Sequence, residues 1–189
     1  METTLYIKNM VCQRCLKVVT DELTKLGYLV NNITLGEAVI ESEKNPDINE
    51  IRKVLLENGF DLVDDKYSKM IEKIKVLIIN KIHHSKEDLG KFSFAKYLSD
   101  ELGINYSKLS SVFSSLEGIT IEKFIIKQKI EKVKELLTYD ELTLSEISYQ
   151  LGYSSVQHLS NQFRQITGLN PSYFKKLKEN RRKPIDQLD

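Results

Sequence analysis

The chain has 189 residues, 41% of them hydrophobic and 29% charged, with a net charge of +1. That length suits one or two domains. No apolar run approaches the ~20 residues a membrane-spanning helix needs, no charged leader precedes an apolar core, and two cysteines make no disulfide framework, so a soluble, cytoplasmic protein is expected. The charge is informative once divided. Residues 1–65 hold 7 basic and 12 acidic side chains, and residues 66–189 hold 21 and 15. An acidic front of −5 and a basic back of +6 suggest two modules with different partners, the basic one suited to a polyanion.

From the N-terminus, "TLYIK" reads as a short strand with Leu5 and Ile7 on one face. Leu16, Val19, Leu23 and Leu26 then form a helical stripe that ends at Gly27. "YLVNNITLGEAVIES" gives two strand-like runs around Gly36. "PDINEIRKVLLENG" predicts a helix capped by Asp47 and Glu50, with Ile48, Ile51 and Leu55 inward, and "FDLV" a last strand. The order is βαββαβ, the ferredoxin-like arrangement. The only two cysteines of the chain, Cys12 and Cys15, fall between the first strand and the first helix. The amides and dipole of the helix start favour an anion there, so both thiols are expected to ionise more readily than free cysteine.

That order, with Cys-x-x-Cys at this place, resembles the heavy-metal-associated domain of copper chaperones and metal pumps, over about Thr3 to Asp65. Met10, Cys12, Cys15, Gly36-Glu37-Ala38 and Gly59-Phe60 carry the likeness. Asn9 stands where that family has Gly, Val11 where Thr is common, and Arg14 where a small residue is usual. The resemblance implies metal binding at Cys12 and Cys15. Two thiolates on one loop suit a soft ion such as Cu(I), which accepts few ligands, whereas zinc normally takes four. Thiol redox sensing and an inert, reduced pair are the other readings of the two thiols.

The rest of the chain repeats itself. "LGINYSKLSSVFSSLEGITIEKF" (Leu102 to Phe124) and "LGYSSVQHLSNQFRQITGLNPSYF" (Leu151 to Phe174) place apolar residues and glycines in one order. Leu109, Phe113, Gly118 and Phe124 match Leu159, Phe163, Gly168 and Phe174, which argues for two copies of one supersecondary unit. In each copy a helix precedes the glycine: Phe94, Leu98 and Leu102 line one face in the first, and Leu144, Ile147 and Leu151 in the second. Thr143 with Glu146 has the capping-box pattern. After a short turn come second helices, about Asn105 to Leu116 and Ser154 to Thr167, giving two helix-turn-helix units. A continuous helix over Thr120 to Leu137, roughly 25 Å long, would hold the two at a separation near one turn of DNA, about 34 Å.

Over about Lys66 to Lys178 the sequence resembles the DNA-binding domain of the AraC/XylS family of bacterial transcription regulators. Its closest stretch is "LSEISYQLGYSSVQHLSNQFRQITGLNPSYFKK", Leu144 to Lys176. The resemblance implies seven helices with two helix-turn-helix units, and sequence-specific DNA binding. On the second reading helix, opposite Leu159 and Phe163, stand Val156, Gln157, His158, Asn161 and Arg164. Gln157 suits an adenine edge and Val156 a thymine methyl. His158 and Asn161 suit a base or a phosphate, and Arg164 a phosphate. By resemblance, the positions of Val156, Gln157, His158 and Asn161 are those that face the groove; Arg is common at the position of Asn161. On the first reading helix Ser107, Lys108, Ser110 and Ser111 face outward and suit positioning more than base reading. The tail Lys175 to Lys183 is basic, and His83 and His84 read as surface residues.

The expected architecture is α+β: a heavy-metal-associated-like ferredoxin-fold domain over 1–65, then an all-α double helix-turn-helix domain over 66–189, its two units joined by a linker helix. No nucleophile–base set, phosphate loop or paired carboxylates appears, so no enzyme is expected. The expected function is a DNA-binding transcriptional regulator, responsive to a soft metal through Cys12 and Cys15; soft-metal trafficking or thiol-redox response is the alternative. The expected partners are duplex DNA, a soft metal ion and a second copy of the chain.

Overall fold

The computed structural model describes residues 1–63, 66–85, 87–139 and 141–179. The chain divides into two compact units, Met1–Asn80 and Lys81–Asp189. The boundary expected after Asp65 lies outside the described residues.

In the first unit, β1 (Glu2–Lys8), β2 (Leu29–Thr34), β3 (Glu37–Glu41) and the two-residue β4 (Asp61–Leu62) form one antiparallel sheet in the order β2-β3-β1-β4. The helices α1 (Gln13–Lys25) and α2 (Ile48–Glu57) connect β1 to β2 and β3 to β4. Alternation along β1 sends Leu5 and Ile7 into a core with Val19, Leu23, Ile40, Ile51 and Leu55. The Asp47 carboxylate accepts from the amides of Asn49 and Glu50 and caps α2. Glu50 therefore serves the cap through its N–H. Ile48, expected inward, shares the face of Ile51 and Leu55 but is 39% exposed, because it is the first residue of α2.

A third helix, α3 (Lys66–Ile79), completes the first unit. It packs on β1 from the Tyr6 side: Lys69 Nζ sits 4.5 Å and Lys73 Nζ 5.2 Å from the Tyr6 ring centroid. Gly36 sits in the β2–β3 turn at φ +83°, where a Cβ would lie 3.2 Å from Val76 of α3. The glycine therefore serves the turn and the close approach of α3 together. Ile71, Ile74 and Ile78 mark α3 as helical and buried, but a stripe alone does not say which neighbour buries it.

In the second unit, π-helical residues through His84 are followed by α4 (Phe94–Leu102), α5 (Tyr106–Glu117), α6 (Ile121–Tyr139), α7 (Leu144–Gln150), α8 (Val156–Thr167) and α9 (Pro171–Glu179). The core is built from the predicted stripes: Leu98, Leu109, Phe113, Ile130, Val133, Ile147, Leu159 and Phe163 are each fully buried. Leu151 lies just past α7 yet is buried at 2% exposure. His83, read as a surface residue, is half-buried. Its Nε2 lies 3.0 Å from Gln128 Oε1, and burial holds its pKa below the ordinary value. Among the described residues no helix is long and apolar enough to cross a membrane.

Candidate nucleic-acid interface

The two repeats fold alike down to single contacts. Gly118 and Gly168 end α5 and α8 in the left-handed conformation. Asn105 caps α5 through the Ser107 amide, and Ser155 caps α8 through the His158 amide. Phe113 meets Phe124 edge-on at 5.7 Å, and Phe163 meets Phe174 edge-on at 5.5 Å. The Thr120 hydroxyl accepts from the Lys123 amide, and the Asn170 side chain from the Tyr173 amide, so α9 repeats the opening of α6. Each copy is thus helix, turn, helix and the start of a third helix. The nineteen residues of α6 give it a length of about 28 Å, and α5, α7, α8 and α9 all pack against it.

Burying Leu159 and Phe163 leaves the other face of α8 to solvent. Gln157, His158, Asn161 and Arg164 are all exposed there, and Val156 at the first turn is half-buried. The side chains on this face are ordered among themselves. Gln157 Nε2 donates to Asn161 Oδ1 at 2.8 Å. Ser154 Oγ lies 3.0 Å from His158 Nδ1, and the Tyr153 ring stands edge-on to the imidazole at 5.5 Å. With Nδ1 engaged by Ser154, the opposite nitrogen of His158 is the one left for a ligand. Burial pushes the Tyr153 hydroxyl up to about 12, so this buttress stays neutral. Ser154 and Ser155 were not singled out in the sequence, although the Ser-x-x-x-His and Ser-x-x-His spacings of a helix start carry both contacts.

On α5, Ser107, Lys108 and Ser111 are exposed, whereas Ser110 is half-buried beside Leu109. Ser110 is therefore less available than an outward-facing position would be. Lys175 and Lys176 lie on α9, and residues 180–183 of the basic tail fall outside the described residues.

The sulfurs of Cys12 and Cys15 lie 3.3 Å apart at the start of α1. Cys12 is the N-cap residue, and the amide of Cys15 faces it. Hydrogen bonds from the Cys15 amide and thiol, then the amide and charge of Arg14, hold the Cys12 thiol below its ordinary pKa. Asn9, in place of the glycine of the family pattern, takes φ +69°, a left-handed conformation asparagine tolerates. Its Nδ2 donates to Gly59 O at 2.9 Å and ties the loop down. Among the described residues no group of three or more His, Cys, Asp or Glu side chains is placed to share a metal ion.

Two helix-turn-helix units braced by one long helix, with the outward face of each second helix polar, define a double helix-turn-helix module. A family model described as a helix-turn-helix domain matches residues 98–177. The probable transcriptional regulator LumQ of Photobacterium leiognathi is 23% identical over 140 residues, which are 74% of this chain and 54% of LumQ. This chain thus spans about half the length of that regulator. The C-terminal domain of AraT, a response regulator from Geobacillus stearothermophilus, superposes with a TM-score of 0.51 at 21% identity, covering 66% of this chain and 95% of that domain. A transcriptional regulator from Chromobacterium violaceum, described as AraC-type DNA-binding domain-containing, gives 0.50 at 14% identity, covering 59% and 96%. The C-terminal helices share the helix-turn-helix fold of these domains.

Proposed function

We propose that the chain is a sequence-specific, duplex-DNA-binding transcriptional regulator of the AraC type. The observation that carries this is the exposed row Gln157, His158, Asn161 and Arg164 on α8, opposite a fully buried Leu159 and Phe163. A second helix of this kind reads base edges in the major groove from its N-terminal residues, where Gln157 is placed for a base and Arg164, two turns on, for a phosphate. The first helix-turn-helix repeat, through Ser107, Lys108 and Ser111, supplies positioning contacts. The test is selection from a random duplex pool with purified protein. Gln157→Ala is expected to weaken binding to the selected site by about 1–3 kcal/mol, roughly 5- to 150-fold. Binding to unrelated duplex should stay as it is, because that affinity comes from phosphate contacts. Equal loss on both DNAs would remove Gln157 from base reading.

The N-terminal unit is read as a ferredoxin-like, heavy-metal-associated-like module that tunes the DNA-binding unit. The β2-β3-β1-β4 order, with helices after β1 and β3, supports that fold. The paired sulfurs and the lowered pKa of Cys12 support a soft metal ion held by Cys12 and Cys15. Two sulfurs without a clustered third donor among the described residues fit Cu(I) better than a four-coordinate zinc. Cys12→Ser is expected to abolish stoichiometric Cu(I) uptake in a competition titration with a chelator, with the helical signal unchanged. Undiminished uptake by that variant would remove the metal reading.

A further inference from the structure

We infer that Asn161 sets the base preference of α8 by orienting the Gln157 amide, so that the pair acts as one adenine reader. The inference rests on the DNA-binding reading above and adds the identity of the base and the residue that selects it. An unrestrained glutamine on an exposed helix face can turn its amide over, exchanging donor and acceptor. Here one Gln157 N–H is spent on Asn161 Oδ1 at 2.8 Å, one helical turn away. With Asn161 presenting its Oδ1, the bond turns the nitrogen end of the Gln157 amide towards Asn161. Gln157 keeps one N–H and its Oε1, a donor beside an acceptor. Adenine alone of the four bases offers the complement in the major groove, an N7 acceptor beside an N6 donor; guanine offers two acceptors. Asn161 in turn keeps both N–H donors, which suit an acceptor such as thymine O4 or guanine O6 on a neighbouring pair. Asn161 is thus a positioning residue for Gln157.

Random-pool selection on the full chain tests this with four proteins. Wild type should fix an adenine at one position, and Gln157→Ala should identify that position by losing it. Asn161→Ala should weaken duplex binding somewhat, through loss of its own donors, while its adenine preference at the same position falls by about tenfold or more. Asn161→Asp keeps an acceptor for the Gln157 N–H, so adenine should be retained there, although overall affinity drops because a carboxylate faces phosphates. An adenine preference that survives Asn161→Ala, or one lost as fully in Asn161→Asp as in Asn161→Ala, overturns the inference and leaves DNA binding standing. Wild type that enriches no sequence at all overturns the DNA-binding reading and this inference with it.

Discussion

Replacing Gly152 by alanine will destabilise the C-terminal unit by about 2–5 kcal/mol, the sum of a left-handed backbone penalty and a backbone clash. Gly152 has φ +69°, and a Cβ built there would lie 2.3 Å from the carbonyl oxygen and 2.7 Å from the carbonyl carbon of Leu89. The offending atoms are main chain, so no rotamer relieves them. The segment is also held in place, because the Leu89 amide donates to Gln150 O at the end of α7 and the Leu89 side chain is 4% exposed. Gly103, at the matching place in the first repeat, supplies the control. It has φ +63° with nothing within 4 Å of its Cβ position, so Gly103→Ala should cost only about 1–2 kcal/mol. Thermal denaturation followed by helical circular dichroism separates the two. Equal losses would show that the Leu89 segment moves aside freely.

The same comparison marks what a sequence conceals. That Gly152 ends a helix was plain from the Leu-Gly match between repeats, but its contact with Leu89 joins residues some sixty positions apart that share no periodicity. Stripes such as Leu98 with Leu102, or Leu159 with Phe163, were legible because burial on one helix face repeats every three or four residues. The partners of α3 are not legible in this way, since a stripe of Ile71, Ile74 and Ile78 does not say which neighbour buries it. Ile48 is exposed because the first residue of a helix has no preceding turn to cover it, which apolar spacing alone does not reveal. In the candidate interface, the exposure of Gln157, Asn161 and Arg164 followed from the helix period once Leu159 and Phe163 were assigned inward. The pairing of Gln157 with Asn161 lay open in their four-residue spacing, but an exposed polar pair at that spacing is common and has no visible direction until the amides are placed. At Cys12 the helix-start argument has a specific source, since this capping residue receives the Cys15 amide and thiol, which hold its thiol below the ordinary pKa.

Phe113→Ala and Phe163→Ala should each cost about 3–5 kcal/mol, and by similar amounts, because the two rings do the same work in the two repeats. Both are fully buried, and each meets a partner from the following helix edge-on, Phe124 of α6 or Phe174 of α9. A domain holds only about 5–15 kcal/mol in total, so either loss removes a large share of it. The consequences for DNA should then part. Phe163 lies on the inward face of α8, and its packing sets the direction in which Gln157 and Asn161 point. Phe163→Ala should therefore abolish recognition of the selected sequence, whereas Phe113→Ala acts through α5, whose exposed Ser107, Lys108 and Ser111 suit phosphates, and should weaken related and unrelated duplexes together. Phe163→Leu retains most of the apolar volume and should recover much of both stability and recognition. Denaturation and site-binding titrations on the three variants decide the matter. Wild-type stability in Phe163→Ala would contradict the matched packing of the repeats, and intact sequence preference in that variant would contradict the placement of the reader on α8.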